Sequence, residues 1–180
     1  MGYLLTLRRL SYVILIELAN SLLLILPFSI LRVNFIRLLG GKIGAGTIIK
    51  RGVKLDFPWK LTIGKNCHIS SSVYLDCRGG LIIIGNNSDI SEQANIYTLS
   101  HDINSIYFCP KGKDINIGER VWICARSIVL PGSIIEDGCV IGANSVFSGH
   151  AESNALYQGV PCTKIKLLNI QRATQVRSER

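Results

Sequence analysis

The sequence predicts an all-β solenoid, a parallel β-helix, on three observations. From Ile117 a bulky apolar residue recurs at every sixth position: Ile117, Ile123, Val129, Ile135, Ile141 and Phe147. Four positions after each of the first five stands a smaller side chain, in Val121, Ser127, Ser133, Cys139 and Ser145. Between them, Gly, Asn, Asp and Ser cluster where a chain must turn, as at Gly118 and Gly142. An amphipathic helix repeats near 3.6 residues and a strand at 2, so neither holds a strict six. A hexapeptide repeat does, with one flat face per hexad. An ordinary β-sandwich alternates in polarity and does not keep one such phase for a hundred residues.

Residues 1–40 stand apart. From Tyr3 to Leu39 the chain is apolar and free of glycine, interrupted by Glu17, Asn20 and Pro27. Arg8 and Arg9 before an apolar run fit a signal peptide, but the small-residue cleavage site is poor. A spanning helix would put Glu17 and Asn20 near mid-bilayer at some cost. The favoured expectation is a helical pair broken near Pro27, lying on a membrane or on the coil's open end, with Arg32 and Arg37 at phosphate level. A β-helix end exposes unpaired backbone, so the segment also has a capping role to fill.

The coil is assigned to residues 41–163. Its phase runs through Ile43, Ile49 and Leu55, then Ile63, Ile69 and Leu75, then Ile84, Ile90 and Ile96, with a two-residue and a three-residue slip between the groups. With the six positions from Ile117 onward this makes fifteen hexads, or about five triangular coils. Pro58 cannot donate to a parallel ladder and belongs at a corner. Trp59, on a small position, is expected to be displaced outward. Residues 102–116 break the phase and should leave the body as a protruding loop.

Charge and cysteine content narrow the function classes. The formal charge is +8, with 48% hydrophobic and 18% charged residues. Five bases face one acid in residues 1–42, five more face Glu179 in the basic tail 164–180, and the body carries ten of each sign. Basicity at the two ends argues against a nucleic-acid groove along the body. It suits anionic lipid heads at one end and a phosphorylated cofactor at the other. The six cysteines include no CxxC pair, which reads as reduced structural thiols in a cytoplasmic protein, with Cys67 and Cys139 pointing inward.

His101 holds the outward sixth position of its hexad, where the loop leaves. His68 is outward on a different face and His150 lies near a corner, so no histidine pair has metal-ligand spacing and no metal is expected. An imidazole, with an ordinary pKa near 6.5, can take a proton from a hydroxyl at neutral pH, which makes His101 a candidate general base.

The hexads, the YTLSHD segment around His101, VWICARSIVLPG, IGANSVF and the closing GVPCTKIK together resemble the hexapeptide-repeat acyltransferases. PWKLTIG and the apolar amino-terminal helix are similar in particular to the sugar O-acetyltransferases of exopolysaccharide and O-antigen synthesis, the colanic-acid type. The resemblance implies a left-handed parallel β-helix, a homotrimer with active sites between subunits, and acetyl-CoA as donor. It implies His101 as catalytic base and Trp122 as the ring against cofactor and acceptor. Ala125 would present its N–H to the thioester or pantetheine, Ala143 and Asn144 would lie along the pantetheine channel, and Lys164 and Lys166 near the adenosine phosphates. Asp76, Glu92, Tyr97 and Asp102 are the candidates on the acceptor side. Asp76 and Glu92 are also candidates for orienting the imidazole, and Asp102 is read as a loop-exit residue. Cys124 stands where relatives often carry glycine, no lysine stands near Gly149, and the relatives' sugar-gripping asparagine falls on or near Ile69, so acceptor specificity does not transfer.

The expected activity is acetyl transfer to a sugar hydroxyl in a surface polysaccharide or its lipid-linked precursor, by a cytoplasmic enzyme peripheral to the inner membrane. The competing readings are a serine or other small-acceptor acetyltransferase on the same coil, and a non-catalytic β-helix scaffold.

Overall fold

Each hexad contributes one short strand, and strands three hexads apart pair in parallel, so the chain winds into a left-handed triangular prism with three flat faces. The computed structural model describes residues 2–169, with side chains from Leu10 onward. The side chains of Arg8 and Arg9, and the tail residues Arg172, Arg177 and Arg180, lie outside the described residues.

The first face stacks strands Lys42–Ile43, Leu61–Ile63, Ile82–Ile84, Ile115–Ile117, Ile134–Ile135 and His150–Ala151. The second stacks Ile48–Ile49, His68–Ile69, Asp89–Ile90, Trp122–Ile123, Val140–Ile141 and Ala155–Gly159, and the antiparallel strand Cys162–Leu167 covers its last edge. The third holds Lys54–Asp56, Tyr74–Asp76, Asn95–Tyr97, Ile128–Val129 and Val146–Phe147. Five coils are complete, as the hexad phase predicts, and a sixth covers two faces beyond them. Lys164 and Lys166, counted with the tail in the sequence, belong to the covering strand.

All fifteen first-position residues, from Ile43 to Phe147, are buried in one continuous stack. Each buried aliphatic side chain contributes about 1.5–3 kcal/mol, so this column is the main source of stability. The small inward positions do more than fit. Thr47 Oγ1 donates to the Gly64 carbonyl and accepts the amide of Cys67. Ser88 Oγ repeats this between the Gly118 carbonyl and the Val121 amide. Hydroxyls thus tie a corner of one coil to the next, satisfying backbone groups where the ladder is interrupted. The Phe57–Lys60 slip behaves as expected: Pro58–Lys60 is a 3-10 turn and Trp59 points outward.

The amino-terminal segment forms α1 (Gly2–Ile25) and α2 (Ser29–Leu38), broken at Pro27. Ile16, Ala19 and Leu23 of α1 and Val33 and Ile36 of α2 face the coil at helical spacing. Three polar contacts seal the first coil, one face each. Arg37 Nε and one terminal nitrogen donate to the carbonyl of Ile43. Ser29 Oγ accepts the amide of Ile49, whose carbonyl accepts from Arg32 Nε. The carboxamide of Asn20 donates to the carbonyl of Leu55 and accepts its amide. This corrects the expectation for Arg32 and Arg37. Arg32 is buried, and both guanidiniums are spent on the ladder edge rather than held at lipid phosphate level. Among the described residues no helix is long and apolar enough to cross a membrane.

Candidate active site

The break in the phase is a two-stranded antiparallel ribbon, with Leu99 opposite Gly112, Ser100 opposite Lys111 and His101 opposite Pro110. It leaves the corner between the third and first faces. Its root is Thr98, fully buried, whose Oγ1 donates to the carbonyl of Asp76 at 2.6 Å and accepts the amides of Gly79 and Gly80 at 3.0 Å each. Glycine is required here by close approach: a Cβ on Gly79 would overlap the carbonyl oxygen of Thr98, and one on Gly112 that of Gly79. Three residues beyond this anchor, His101 is exposed, and its ring hydrogen-bonds to no described residue. The tip of the ribbon exposes Ile103, Ile106, Tyr107 and Phe108.

The second face carries one outward column, in which Ile48, His68, Asp89, Trp122, Val140, Leu156 and Lys166 stand on successive rungs. Rungs are about 4.8 Å apart, so the column from Trp122 to Lys166 spans about 14 Å. The exposed indole of Trp122 donates from Nε1 to Ser91 Oγ at 2.9 Å. At the adjoining corner Ala125 and Ala143 occupy successive coils, and neither amide N–H has a partner among the described residues. Asn144 donates its amide to the Ala125 carbonyl, which locks the two coils together there. Lys164 is held by Glu152 at 2.7 Å, and that bond raises its pKa, whereas Lys166 has no ion pair among the described residues.

Below Trp122 the same face holds a cavity of about 640 Å³ lined by Gly46, Ile48, Asn66, Cys67, His68, Asn87 and Asp89. His68 Nδ1 lies 3.5 Å from Asp89 Oδ2. The sequence reading left His68 and Asp89 out of the site. Both sit in the sixth position of hexads in phase with that of Trp122, so the slip-corrected register carried the signal.

Of the four acceptor-side candidates, Asp76 and Tyr97 stand on paired rungs of the third face, whereas Glu92 and Asp102 lie on other segments. Asp76 is fully buried, with its two oxygens bound by Arg78 Nε and one terminal nitrogen at 2.9 Å each. It is committed to Arg78, so it is not the group that orients His101. Tyr97 packs edge-on against Tyr74, whose hydroxyl donates to Asp56. Burial and the Asp56 carboxylate push the Tyr74 phenol above its ordinary pKa. Glu92 is exposed at the corner one rung below Ala125 and has no ion pair among the described residues. Asp102 takes the Cys109 carbonyl on its amide and caps the ribbon turn by accepting the Asn104 amide, which is the loop-exit role.

Five cysteines are buried or half-buried, and burial raises each of their pKa values, that of Cys77 to about 12. Cys109, in the ribbon, accepts from Ser105 Oγ at 3.1 Å. No group of His, Cys, Asp or Glu that could hold a metal is found among the described residues.

The family described as bacterial transferase hexapeptide (six repeats) matches residues 114–149. The chain is 37% identical over 135 residues to WcaF of Escherichia coli (strain K12), named as an acetyltransferase of colanic acid biosynthesis, covering 75% of this chain and 74% of that one. Among solved structures, a maltose O-acetyltransferase from Clostridium difficile 630 superposes with a TM-score of 0.79 at 25% identity, covering 86% and 85% of the two chains. A galactoside acetyltransferase in complex with coenzyme A superposes with a TM-score of 0.80 at 21% identity, covering 88% and 82%, and shares the fold.

Proposed function

The chain belongs to the hexapeptide-repeat transferases and is an acetyltransferase; from that premise we propose that it moves the acetyl group of acetyl-CoA to a hydroxyl of a sugar in a bacterial surface polysaccharide or its lipid-linked precursor. The reading rests on the outward column of the second face, with Trp122 at its centre. Toward the carboxyl end, Val140 and Leu156 offer a narrow apolar track for pantetheine, flanked by the free N–H groups of Ala125 and Ala143 and ended by Lys166 for a phosphate. Toward the amino end, the cavity with His68, Asp89, Asn66 and Asn87 offers the carboxamides, carboxylate and imidazole that bind polyhydroxylated ligands.

The base comes from a neighbouring copy. The ribbon leaves from the corner opposite the second face, so His101 and Trp122 of one chain stand on different sides of the prism. A second copy completes the site, and the apolar ribbon tip supports its packing there; closure around a threefold axis makes the assembly a homotrimer. In the step itself, His101 takes the proton of the sugar hydroxyl as its oxygen attacks the thioester carbon. The Ala125 N–H donates to the oxyanion as it develops. The carbon–sulfur bond then breaks, and the thiolate of coenzyme A recovers the proton from His101. A cytoplasmic position at the inner face of a membrane, where lipid-linked precursors are assembled, is part of this reading.

Mass spectrometry of the surface glycan with and without the protein tests it. Loss of one O-acetyl group from a defined sugar is expected, and an unchanged acetylation pattern refutes it.

A further inference from the structure

α1 is apolar around most of its circumference, with Ser11, Glu17 and Ser21 the exposed polar residues beyond Leu10, yet only one stripe of it faces the coil. Leu15, Leu18, Leu22 and Ile25 are exposed on the outside, and Phe28 and Ile30 carry that surface into α2. So wide an exposed apolar surface on a helix calls for an apolar partner such as lipid. The coil just beneath carries an independent signal. Residues 42–65 hold Lys42, Lys50, Arg51, Lys54, Lys60 and Lys65 against the single acid Asp56, whereas residues 66–163 hold nine acids against five bases. None of the six cations forms an ion pair with a described residue, and all but the half-buried Lys60 are exposed.

We propose that the outer face of α1 and α2 docks on an anionic phospholipid surface. The apolar side chains enter the boundary between headgroups and acyl chains, and the cationic collar of the first coil meets the phosphate oxygens. The charge distribution selects this occupant over a second copy, because two caps packed together would oppose two unpaired collars. It also sets the orientation: the acidic coils are repelled from the surface, so the prism axis stands along the membrane normal with the Trp122 column running away from the lipid. The attraction decays within a Debye length, about 10 Å at 0.1 M salt, which confines it to the coil nearest the cap. This rests on the membrane-peripheral part of the proposed function and not on acetyl transfer.

Flotation of the full chain with vesicles of phosphatidylcholine, alone or in equal parts with phosphatidylglycerol, tests the surface without acetyl-CoA or glycan. Binding to the anionic vesicles, weaker binding to the neutral ones, and release at high salt are expected. Lys42→Glu, Lys50→Glu and Arg51→Glu should each lower the partition about fivefold or more, and Leu18→Gln with Ile25→Gln should lower it with the collar intact. Circular dichroism and melting check that each variant folds. The inference is overturned if the protein stays unbound with both vesicles, or if charge reversal leaves binding to both unchanged. It is also overturned if Leu18→Gln with Ile25→Gln disperses a larger oligomer in solution without affecting partition, which assigns the face to a second copy. Acetyl transfer to a soluble glycoside by the same preparations reports on the enzymatic reading separately.

Discussion

His68 and Asp89 stand on adjacent rungs of one face, with Nδ1 of the imidazole 3.5 Å from Oδ2 of the carboxylate, and the next rung carries Trp122. Both residues line the cavity below Trp122, with the carboxylate beside the imidazole. If that cavity holds the acceptor, His68→Ala and Asp89→Asn should raise the acceptor KM about tenfold, the worth of one good hydrogen bond, while the KM for acetyl-CoA stays put. Steady-state kinetics with the acceptor named by glycan analysis checks this. An unchanged acceptor KM in both variants places the acceptor elsewhere.

His101→Ala should slow acetyl transfer by about 10²–10⁴-fold. Coenzyme A should still raise the melting temperature, because the column from Trp122 to Lys166 is untouched. Turnover near that of the unmodified protein would exclude His101 as the base.

Thr98 anchors the ribbon through three hydrogen bonds. Thr98→Val keeps the shape but leaves the Gly79 and Gly80 amides unpaired, at about 1–3 kcal/mol each. The expected result is a fall in kcat with little change in either KM, since His101 loses its fixed position while both substrate tracks remain. A folded but less stable Thr98→Val protein with unchanged kcat would make Thr98 a purely structural residue.

Glu136 accepts hydrogen bonds from the Ser153 hydroxyl and amide and pairs with His150, and these contacts, the Ser153 hydroxyl foremost, hold its pKa below the ordinary glutamate value. A lowered folded-state pKa contributes stability that is present above the unfolded value, near 4.3, and is lost as pH falls through the folded value. The melting temperature of the unmodified protein should therefore drop more steeply than that of Ser153→Ala between pH 5 and acid. Parallel melting curves for the two proteins would show that the contact carries no linkage.

The prism was legible because its core obeys a single rule: one inward aliphatic side chain per six residues, from Ile43 to Phe147. The sixth coil escaped that rule because its inward positions are filled by Ala151 and Tyr157, small then large, where the stack closes against Phe147. The outward roles of His101 and Trp122 followed from the same phase. What the phase could not convey is where polar side chains spend their hydrogen bonds. Arg32 and Arg37 read as lipid contacts in one dimension, and Asn20 as an interruption of the apolar run, but each meets a backbone group on a different face of the first coil. Asp76, one of the candidates to orient His101, is instead claimed by Arg78, its neighbour two residues on, whose reach around the corner no periodicity encodes.

The polar seal over the first coil has a consequence for self-association. A parallel ladder is an open template, and any prism with a bare end can extend another. Here Arg37, Ser29 with Arg32, and Asn20 each occupy one of three such templates, so winding stops at a defined floor. A chain lacking residues 1–38 would present all three at once, and its light scattering should climb with time as units thread into fibres.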